Sequence, residues 1–131
     1  MTHYEKKLHR MRRDVYSNEG QINTAIGIRN YIENNYEINL NLDLLSCVQC
    51  VSKYHMLRLF KKYYGQTPRQ YLMDKRIEKS KDHLINGLSV TATCFAVGFE
   101  SLGSFSSLFK TKTGKSPSVF QKEQLSRRKI K

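Results

Sequence analysis

Proline is scarce in this chain: only two of its 131 residues are proline, and both occupy the same place in a repeated pattern. Apolar runs are also short, and none approaches the roughly 20 residues that a membrane-spanning helix needs. Alternation of apolar and polar residues, the signature of a half-buried strand, is equally rare. The sequence therefore predicts an all-helical protein without a membrane span.

Acidic residues are few, since 11 Asp and Glu stand against 23 Lys and Arg, for a formal net charge of +12. They are scattered, and neither a glycine-rich phosphate loop nor a Ser/His/Asp arrangement occurs, so we predict no enzyme and no cofactor. Cations concentrate in residues 53–115, which hold 12 Lys and Arg against four acids, and at both chain ends. This distribution favours a polyanionic partner, either nucleic acid or an anionic membrane surface, over a merely soluble basic protein.

The N-terminus carries charges where a secretion signal needs an apolar core, and the three cysteines are an odd number. Both features are typical of a protein that stays in a reducing compartment. We therefore expect a location inside the cell.

The two prolines mark a duplicated unit. Its first copy comprises Leu59-Phe60-Lys61, Gly65, Thr67-Pro68 and Tyr71. At a constant offset of 49 residues, its second copy comprises Leu108-Phe109-Lys110, Gly114, Ser116-Pro117 and Phe120. Each glycine suits the left-handed residue that ends a helix, and each Thr/Ser-Pro pair suits an N-cap followed by a first-turn proline. The pattern predicts the same helix, stop and restart twice.

Periodicity and capping residues predict seven helices. The first has an apolar stripe made of Ile22, Ile26, Ile28, Tyr31 and Ile32. A short helix and a longer one follow in each half, at about 42–48 and 52–64 and at about 90–97 and 101–113, with lengths that suit a helix-turn-helix. A long helix from Thr67-Pro68 joins the halves, and a short one starts at Ser116-Pro117.

These elements define three expected regions. Residues 1–20 form a basic N-terminal arm, mobile or a frayed helix, and residues 125–131 form a basic C-terminal tail. Residues 21–124 form the helix-turn-helix domain between them. Within that domain we expect a first unit at 21–66, a linker helix at 67–87 and a second unit at 88–124.

The residues of both motifs resemble those of the AraC-type (AraC/XylS) transcription regulators. The segment from Ser52 to Tyr71 looks like the first recognition helix and its exit in that family, and the segment from Arg76 to Lys81 looks like the linker helix. The segment from Val97 to Phe120 is similar to the second motif. Nothing resembling the family's ligand-binding or dimerisation domain is present, so in this respect the chain looks like a short, stand-alone member.

The resemblance implies roles for residues of the first recognition helix. It assigns base reading to Tyr54, Leu57 and Arg58, with Arg58 as the bidentate partner of guanine. It assigns binding of the DNA backbone to Ser52, Lys53, Lys61 and Lys62.

The second recognition helix departs from the family pattern. Where relatives often place arginine or glutamine, the chain has Leu102, Gly103, Ser106 and Ser107. We therefore expect weak base reading in this half, with backbone contacts from Ser101, Ser104 and Lys110. In the preceding helix, Thr93 and Cys94 replace an apolar–alanine pair, and Phe95 replaces a polar residue.

Cys47 and Cys50 form a Cys-x-x-Cys motif. One interpretation is a redox pair, or half of a metal site that His55 or Cys94 would complete. The other follows from the resemblance, because both positions fall where the family packs small residues at the elbow of the helix-turn-helix. We favour packing, with both thiols buried and no metal bound.

The resemblance implies a sequence-specific regulator that binds double-stranded DNA in the bacterial cytoplasm, associated with the nucleoid. We expect a monomeric activator that reads two adjacent major grooves, mainly through the first motif, with RNA polymerase as a further candidate partner and no membrane partner. The weakened second motif leaves an alternative, namely an adaptor or anti-regulator with weak, largely non-specific DNA binding. A basic helical protein that binds RNA or a membrane surface is a third possibility, and the recognition-helix pattern from Ser52 to Phe60 argues against it.

Overall fold

The computed structural model describes the backbone of residues 2–129, and the side chains of residues 2–11 and 18–128. Its regular elements are all helices, which confirms the all-α fold. In chain order they are α1 (His3–Asn34), α2 (Leu42–Val48), α3 (Lys53–Tyr64), α4 (Pro68–Ile85), α5 (Val90–Ala96), α6 (Leu102–Thr113) and α7 (Pro117–Lys129). No helix in the described part of the chain combines the length and the apolar character needed to cross a bilayer.

The chain divides into two compact units that interleave along the sequence. Unit 1 consists of Met1–Ile32 and Asn41–Pro68, and unit 2 of Glu33–Leu40 and Arg69–Lys131. Residues 33–40, which we call the strap, therefore belong to unit 2 although they precede the helix-turn-helix of unit 1. The outer helices are longer than the sequence suggested, since α1 begins at His3 and α7 continues to Lys129.

Helix ends coincide with the capping residues of the sequence. A side-chain oxygen accepts a hydrogen bond from a first-turn N–H at the N-caps of α2, α3, α5 and α6, which are Asn41, Ser52, Ser89 and Ser101. Gly65 and Gly114 end α3 and α6 in the left-handed conformation, with φ of 72° and 82°. These geometries confirm the duplicated helix stops, because glycine adopts this conformation without a Cβ penalty.

The core face of α1 differs from the predicted stripe. Ala25, Ile28 and Ile32 are buried, whereas Ile22 and Ile26 are 41% and 37% exposed. The buried face therefore includes only part of the predicted stripe, because at 100° per residue these two isoleucines lie roughly 90° or more around the helix from the buried residues. A small residue, Ala25, occupies the place that the pattern gave to larger ones.

An aromatic chain organises the core of unit 2. Phe99, Phe105, Phe109 and Phe120 follow one another with ring centroids 5.2, 5.7 and 5.4 Å apart. Tilted and edge-to-face pairs at such distances are favourable beyond the area they bury. The same cluster includes Ile77 and Leu84 from α4, so that α4 packs within unit 2.

A buried arginine fastens the strap to α4. Arg76 is only 4% exposed, and its Nε and Nη2 donate to the carbonyl oxygens of Tyr36 and Ile38 at 2.7 and 2.8 Å. Its guanidinium also lies over the ring of Phe99, 5.6 Å from the centroid. Burial, followed by the nearby charge of Arg69, lowers the pKa of Arg76. This structural role could not be inferred from the sequence pattern, because a charged residue on a helix is exposed by default.

Candidate nucleic-acid interface

The turn of the first helix-turn-helix has a left-handed cysteine. The N–H of Val51 donates to the carbonyl of Ser46, and the N–H of Cys50 donates to that of Cys47, both at 3.1 Å. This pair of bonds is a Schellman ending of α2, in which glycine usually occupies the position of Cys50. Cys50 adopts φ of 54°, and it is the one non-glycine residue with positive φ in the described chain.

One side of α3 packs inward and the other faces solvent. Met56, Leu59 and Phe60 are buried. The opposite side, which we call the reading face, carries Lys53, Tyr54, Leu57, Arg58 and Lys61.

A shallow groove runs along this reading face. Four of its residues line the groove, and Thr67, which the sequence indicated only as a helix cap, lines it as well. Tyr54 is 81% exposed, so its ring faces solvent and not the core. The face combines an arginine fork, an aromatic ring and an apolar side chain, which is the chemistry that reads base edges in a major groove.

The lysines of the first motif are not equivalent. Lys53 forms an exposed ion pair with Asp43 of α2 at 3.6 Å, which is weak in solvent. Lys62 donates to Oε1 of Gln21 at 3.2 Å and lies 5.2 Å from the centroid of the Tyr63 ring. Lys62 is therefore occupied by contacts to α1 and to its own helix. Lys61, by contrast, lines the groove beside Arg58.

The second helix-turn-helix has the same turn with a glycine. Gly98 donates to the carbonyl of Phe95 at 3.2 Å, and Phe99 donates to that of Cys94 at 3.1 Å. Gly98 adopts φ of 101°. A Cβ at this position would lie 2.7 Å from the carbonyl oxygen of Glu37 in the strap, so glycine is required by both conformation and space.

Small side chains dominate the outward side of α6. Leu102, Gly103 and Ser107 are exposed, and Ser106 is half-buried. None of these residues offers the long bidentate donors that distinguish guanine or adenine.

Two of the predicted backbone contacts in this half form the cap of α6. The hydroxyl of Ser101 accepts from the N–H of Ser104 at 3.2 Å and donates to its hydroxyl at 2.8 Å. Lys110 is exposed near the end of the helix. The hydroxyl of Ser104, which accepts from Ser101, can still donate to a phosphate oxygen, and Lys110 is the cation among the three.

The elbow of α5 and α6 contains an unsatisfied polar atom. Thr93 and Cys94 are both fully buried, as expected for residues that replace an apolar pair. Among the described residues, Oγ1 of Thr93 has no hydrogen-bond partner. Burial raises the pKa of the Cys94 thiol, whose Sγ lies 3.5 Å from the carbonyl oxygen of Ser101.

The expectation that Cys47 and Cys50 are buried packing residues was wrong. Both thiols are exposed, and only Cys94 is buried. The reason is the register of α2, in which Leu45 and Ser46 face the core and Cys47 follows on the solvent side. Within the described part of the chain, no three His, Cys, Asp or Glu side chains are arranged to hold a metal ion.

Solved structures share this arrangement of helices. A probable AraC family transcriptional regulator from Rhodopseudomonas palustris superposes with a TM-score of 0.72 at 22% identity, covering 78% of this chain and 97% of that one. The DNA-binding domain of the global transcriptional factor AdpA, crystallised with a target DNA, gives 0.75 at 20% identity and covers 79% and 95%. At such identities the likeness shows a shared fold.

Residues 47–123 match a family model described as a helix-turn-helix domain. The chain belongs to the AraC-type helix-turn-helix family of transcription regulators. A relative by sequence is an uncharacterised HTH-type transcriptional regulator from Pseudoalteromonas carrageenovora, 34% identical over 92 residues, or 70% of this chain and 55% of that protein. The chain spans about half the length of the curated relatives it matches.

Proposed function

We propose that the chain regulates transcription by binding double-stranded DNA with sequence specificity, mainly through α3. The observation that carries this proposal is the reading face, where Tyr54, Leu57, Arg58 and Lys61 line one groove on a helix whose opposite side is buried. A helix anchored in this way keeps its exposed side chains in a fixed order along its axis. Recognition helices of helix-turn-helix proteins present base-reading residues to the major groove in the same manner.

Each residue of the reading face has a role that follows from its chemistry. The guanidinium of Arg58 would donate two parallel hydrogen bonds to O6 and N7 of a guanine, the commonest specific contact in the major groove. Tyr54 and Leu57 would pack against a thymine methyl group or a sugar. Lys61 would neutralise a phosphate, and Lys53 would do so after leaving its weak ion pair with Asp43.

Unit 2 contributes affinity more than specificity in this proposal. The N-terminus of α6, with the capping pair Ser101 and Ser104, would bind a phosphate, and Lys110 would bind another. Two helix-turn-helix motifs in one chain suit an asymmetric site in successive major grooves about 34 Å apart, bound by a monomer. We propose further that the protein is an activator that contacts RNA polymerase and acts at the nucleoid in the bacterial cytoplasm. The AdpA domain, solved with a target DNA, supports duplex binding by this fold.

An adaptor is the second candidate function, and exposed apolar residues in unit 2 favour it. Phe95 on α5 is 56% exposed and Leu102 at the start of α6 is 41% exposed. Aromatic and aliphatic side chains in such positions suit a protein partner better than a phosphate backbone. This function would leave the chain with weak, largely non-specific DNA binding.

The test compares three single variants on a site selected from a random duplex pool. We expect Arg58→Ala to weaken binding to the selected site by about 1–3 kcal/mol and to relax preference at one or two base pairs. Lys61→Ala should weaken all duplexes alike and lower the salt slope by about one unit. Lys62→Ala is the matched control, because Lys62 already contacts Gln21 and Tyr63 and should change the slope less.

Titrations of selected and random duplexes at several salt concentrations give both the binding free energy and its dependence on salt. Equal losses on selected and random DNA for Arg58→Ala would show that Arg58 binds phosphate, and the assignment of base reading would fail. An adaptor would bind every duplex only marginally even at low salt, with no enriched sequence in the selected pool. An enriched inverted repeat bound by a dimer would contradict the asymmetric, monomeric site.

A further inference from the structure

Cys47 and Cys50 are the chemically reactive residues that the proposed function does not use. Both thiols are exposed, whereas the remaining cysteine, Cys94, is buried. Reaction of a cysteine with a soluble disulfide requires access to the thiol, so the two sites differ from Cys94 in the property that decides reactivity. We call Cys47 and Cys50 the dithiol pair.

The backbone holds the dithiol pair close together. The N–H of Cys50 donates to the carbonyl of Cys47 at 3.1 Å, which closes a four-residue turn. The Cα atoms at the ends of such a turn lie within about 7 Å, and disulfides join Cα atoms up to about 6.8 Å apart. The turn therefore places the Cα atoms of Cys47 and Cys50 in the distance range that a disulfide can join.

The turn that carries the dithiol pair also sets the start of α3. Val51 follows Cys50 and donates to the carbonyl of Ser46, and Ser52 then caps α3 by accepting from the N–H of His55 at 3.1 Å. The reading face begins at the next residue. A covalent bond across this turn would therefore act on the direction in which the recognition helix leaves α2.

We propose that the dithiol pair is a reversible oxidation site that takes low-molecular-weight disulfides as its oxidising substrate and weakens DNA binding when oxidised. One protein thiolate attacks a sulfur of the soluble disulfide, forming a mixed disulfide and releasing one thiolate. The second protein thiolate then attacks the mixed disulfide, forms the Cys47–Cys50 bond and releases the second thiolate. Two electrons pass from the protein to the soluble disulfide, and the two thiol protons go to the released thiolates.

The effect on DNA rests on the proposed function, whereas the oxidation itself does not. A recognition helix must be held within a fraction of an ångström of its docking geometry, so a turn tightened by a disulfide should lower affinity. We expect a loss of about fivefold or more on duplex DNA, reversed by a reducing agent. The expected effect of the disulfide on α3 is local, because the dithiol pair and the reading face both lie in unit 1.

The experiment treats the full chain with oxidised glutathione and measures both intact mass and duplex affinity. The expected product is lighter by two hydrogen atoms, carries no glutathione, and yields a peptide in which Cys47 is joined to Cys50. Cys47→Ser with Cys50→Ser should abolish the mass change and keep full affinity in the presence of the oxidant. Cys94→Ala is the matched control and should behave like the parent in both measurements.

The outcomes separate the two claims. Stable glutathione adducts, disulfide-linked dimers or no change in mass would overturn the oxidation site. An internal disulfide that leaves affinity unchanged would overturn its control of DNA binding. If the reduced chain fails to bind duplex at low salt, the proposed function fails, and the mass measurement alone then decides the oxidation site.

Discussion

The turns of the two helix-turn-helix motifs share one hydrogen-bond pattern but place different residues at its left-handed position. In unit 1 that residue is the exposed Cys50, with φ of 54°. In unit 2 it is Gly98, with φ of 101°, in close contact with the carbonyl oxygen of Glu37. The second turn also has one more residue, Glu100, before the cap of the following helix. The left-handed position of the first turn thus has room for a side chain. The left-handed position of the second turn has none, because it packs against the backbone of the strap.

The recognition helices α3 and α6 also share their backbone signals and differ in their side chains. Both end in a left-handed glycine and begin at a serine cap, so their backbone signals are matched. Their outward faces are not, since α3 presents Tyr54 and Arg58 where α6 presents Gly103 and Ser107, respectively. The two helices therefore share their backbone signals for folding but not their outward side chains, and we expect base reading from α3 and little from α6.

The largest expected effect on stability comes from placing a side chain at the left-handed position of the turn in unit 2, as unit 1 has at Cys50. Gly98→Ala should lower the free energy of unfolding by about 3 kcal/mol or more, because it combines backbone strain with a clash. The clash is with the carbonyl of Glu37, 2.7 Å from the new Cβ. Urea unfolding at neutral pH measures the loss. Gly87→Ala is the control, since Gly87 has φ of 91° but open space around it, and should cost clearly less.

The buried hydroxyl of Thr93 should give the next largest effect. Thr93→Val replaces an unpartnered oxygen with a methyl group of similar size, and should raise the free energy of unfolding by about 1–2 kcal/mol. Thr91→Val, on the exposed side of the same helix, should change stability by less than about 0.5 kcal/mol. A loss of stability in Thr93→Val would mean that the hydroxyl is satisfied after all.

Cys50→Gly makes the turn of unit 1 more like that of unit 2. It should raise the free energy of unfolding under reducing conditions by about 0.5–1 kcal/mol, because relief of left-handed strain exceeds the entropy that glycine adds to the unfolded chain. Cys47 lies in the last turn of α2, where there is no left-handed strain to relieve. Cys47→Gly should therefore lower the free energy of unfolding by a similar amount. Thermal or urea melts of both variants beside the parent decide the sign, and a gain for both would refute the strain.

The smallest effect concerns pH and is confined to unit 2. Burial raises the pKa of Cys94 above that of an unfolded thiol, about 8.5, so the folded state holds its proton more tightly. The stability linked to this group is complete below the unfolded-state pKa and is lost as the pH rises through the folded-state pKa. Urea midpoints from pH 7 upward should therefore fall less steeply for Cys94→Ala than for the parent. Parallel curves would show that the thiol does not contribute.

Local signals made the ends of the helices predictable. Asn41, Ser52, Ser89 and Ser101 cap helices because their own side chains bond to the adjacent N–H groups, and Gly65 and Gly114 end helices for a reason confined to one residue. Each of these features depends on a few neighbouring residues. The duplicated motif was therefore readable from the sequence.

Features that depend on distant residues were not predictable. The thiol of Cys47 is exposed because α2 directs Leu45 to the core, and a short apolar helix does not reveal which side is covered. Arg76 is buried because carbonyls of the strap, about 40 residues earlier in the chain, accept its hydrogen bonds. Ile22 and Ile26 have the right character for a core but the wrong angle. Which residues of the reading face contact bases stays a prediction, since a surface alone does not name its partner.

The position of the strap in the sequence affects when its contacts can form during synthesis of the chain. Residues 33–40 leave the ribosome before any of unit 1's second segment, yet their partners Arg76 and Gly98 follow much later. Unit 1 has all of its sequence once Pro68 has emerged, before Arg76 is available to donate to the carbonyls of Tyr36 and Ile38. A gene cut between the units at residue 69 would separate Arg76 from the carbonyls of Tyr36 and Ile38. When the two units are produced separately, residues 33–40 should therefore be kept with the C-terminal segment, either fused to it or added as a separate peptide.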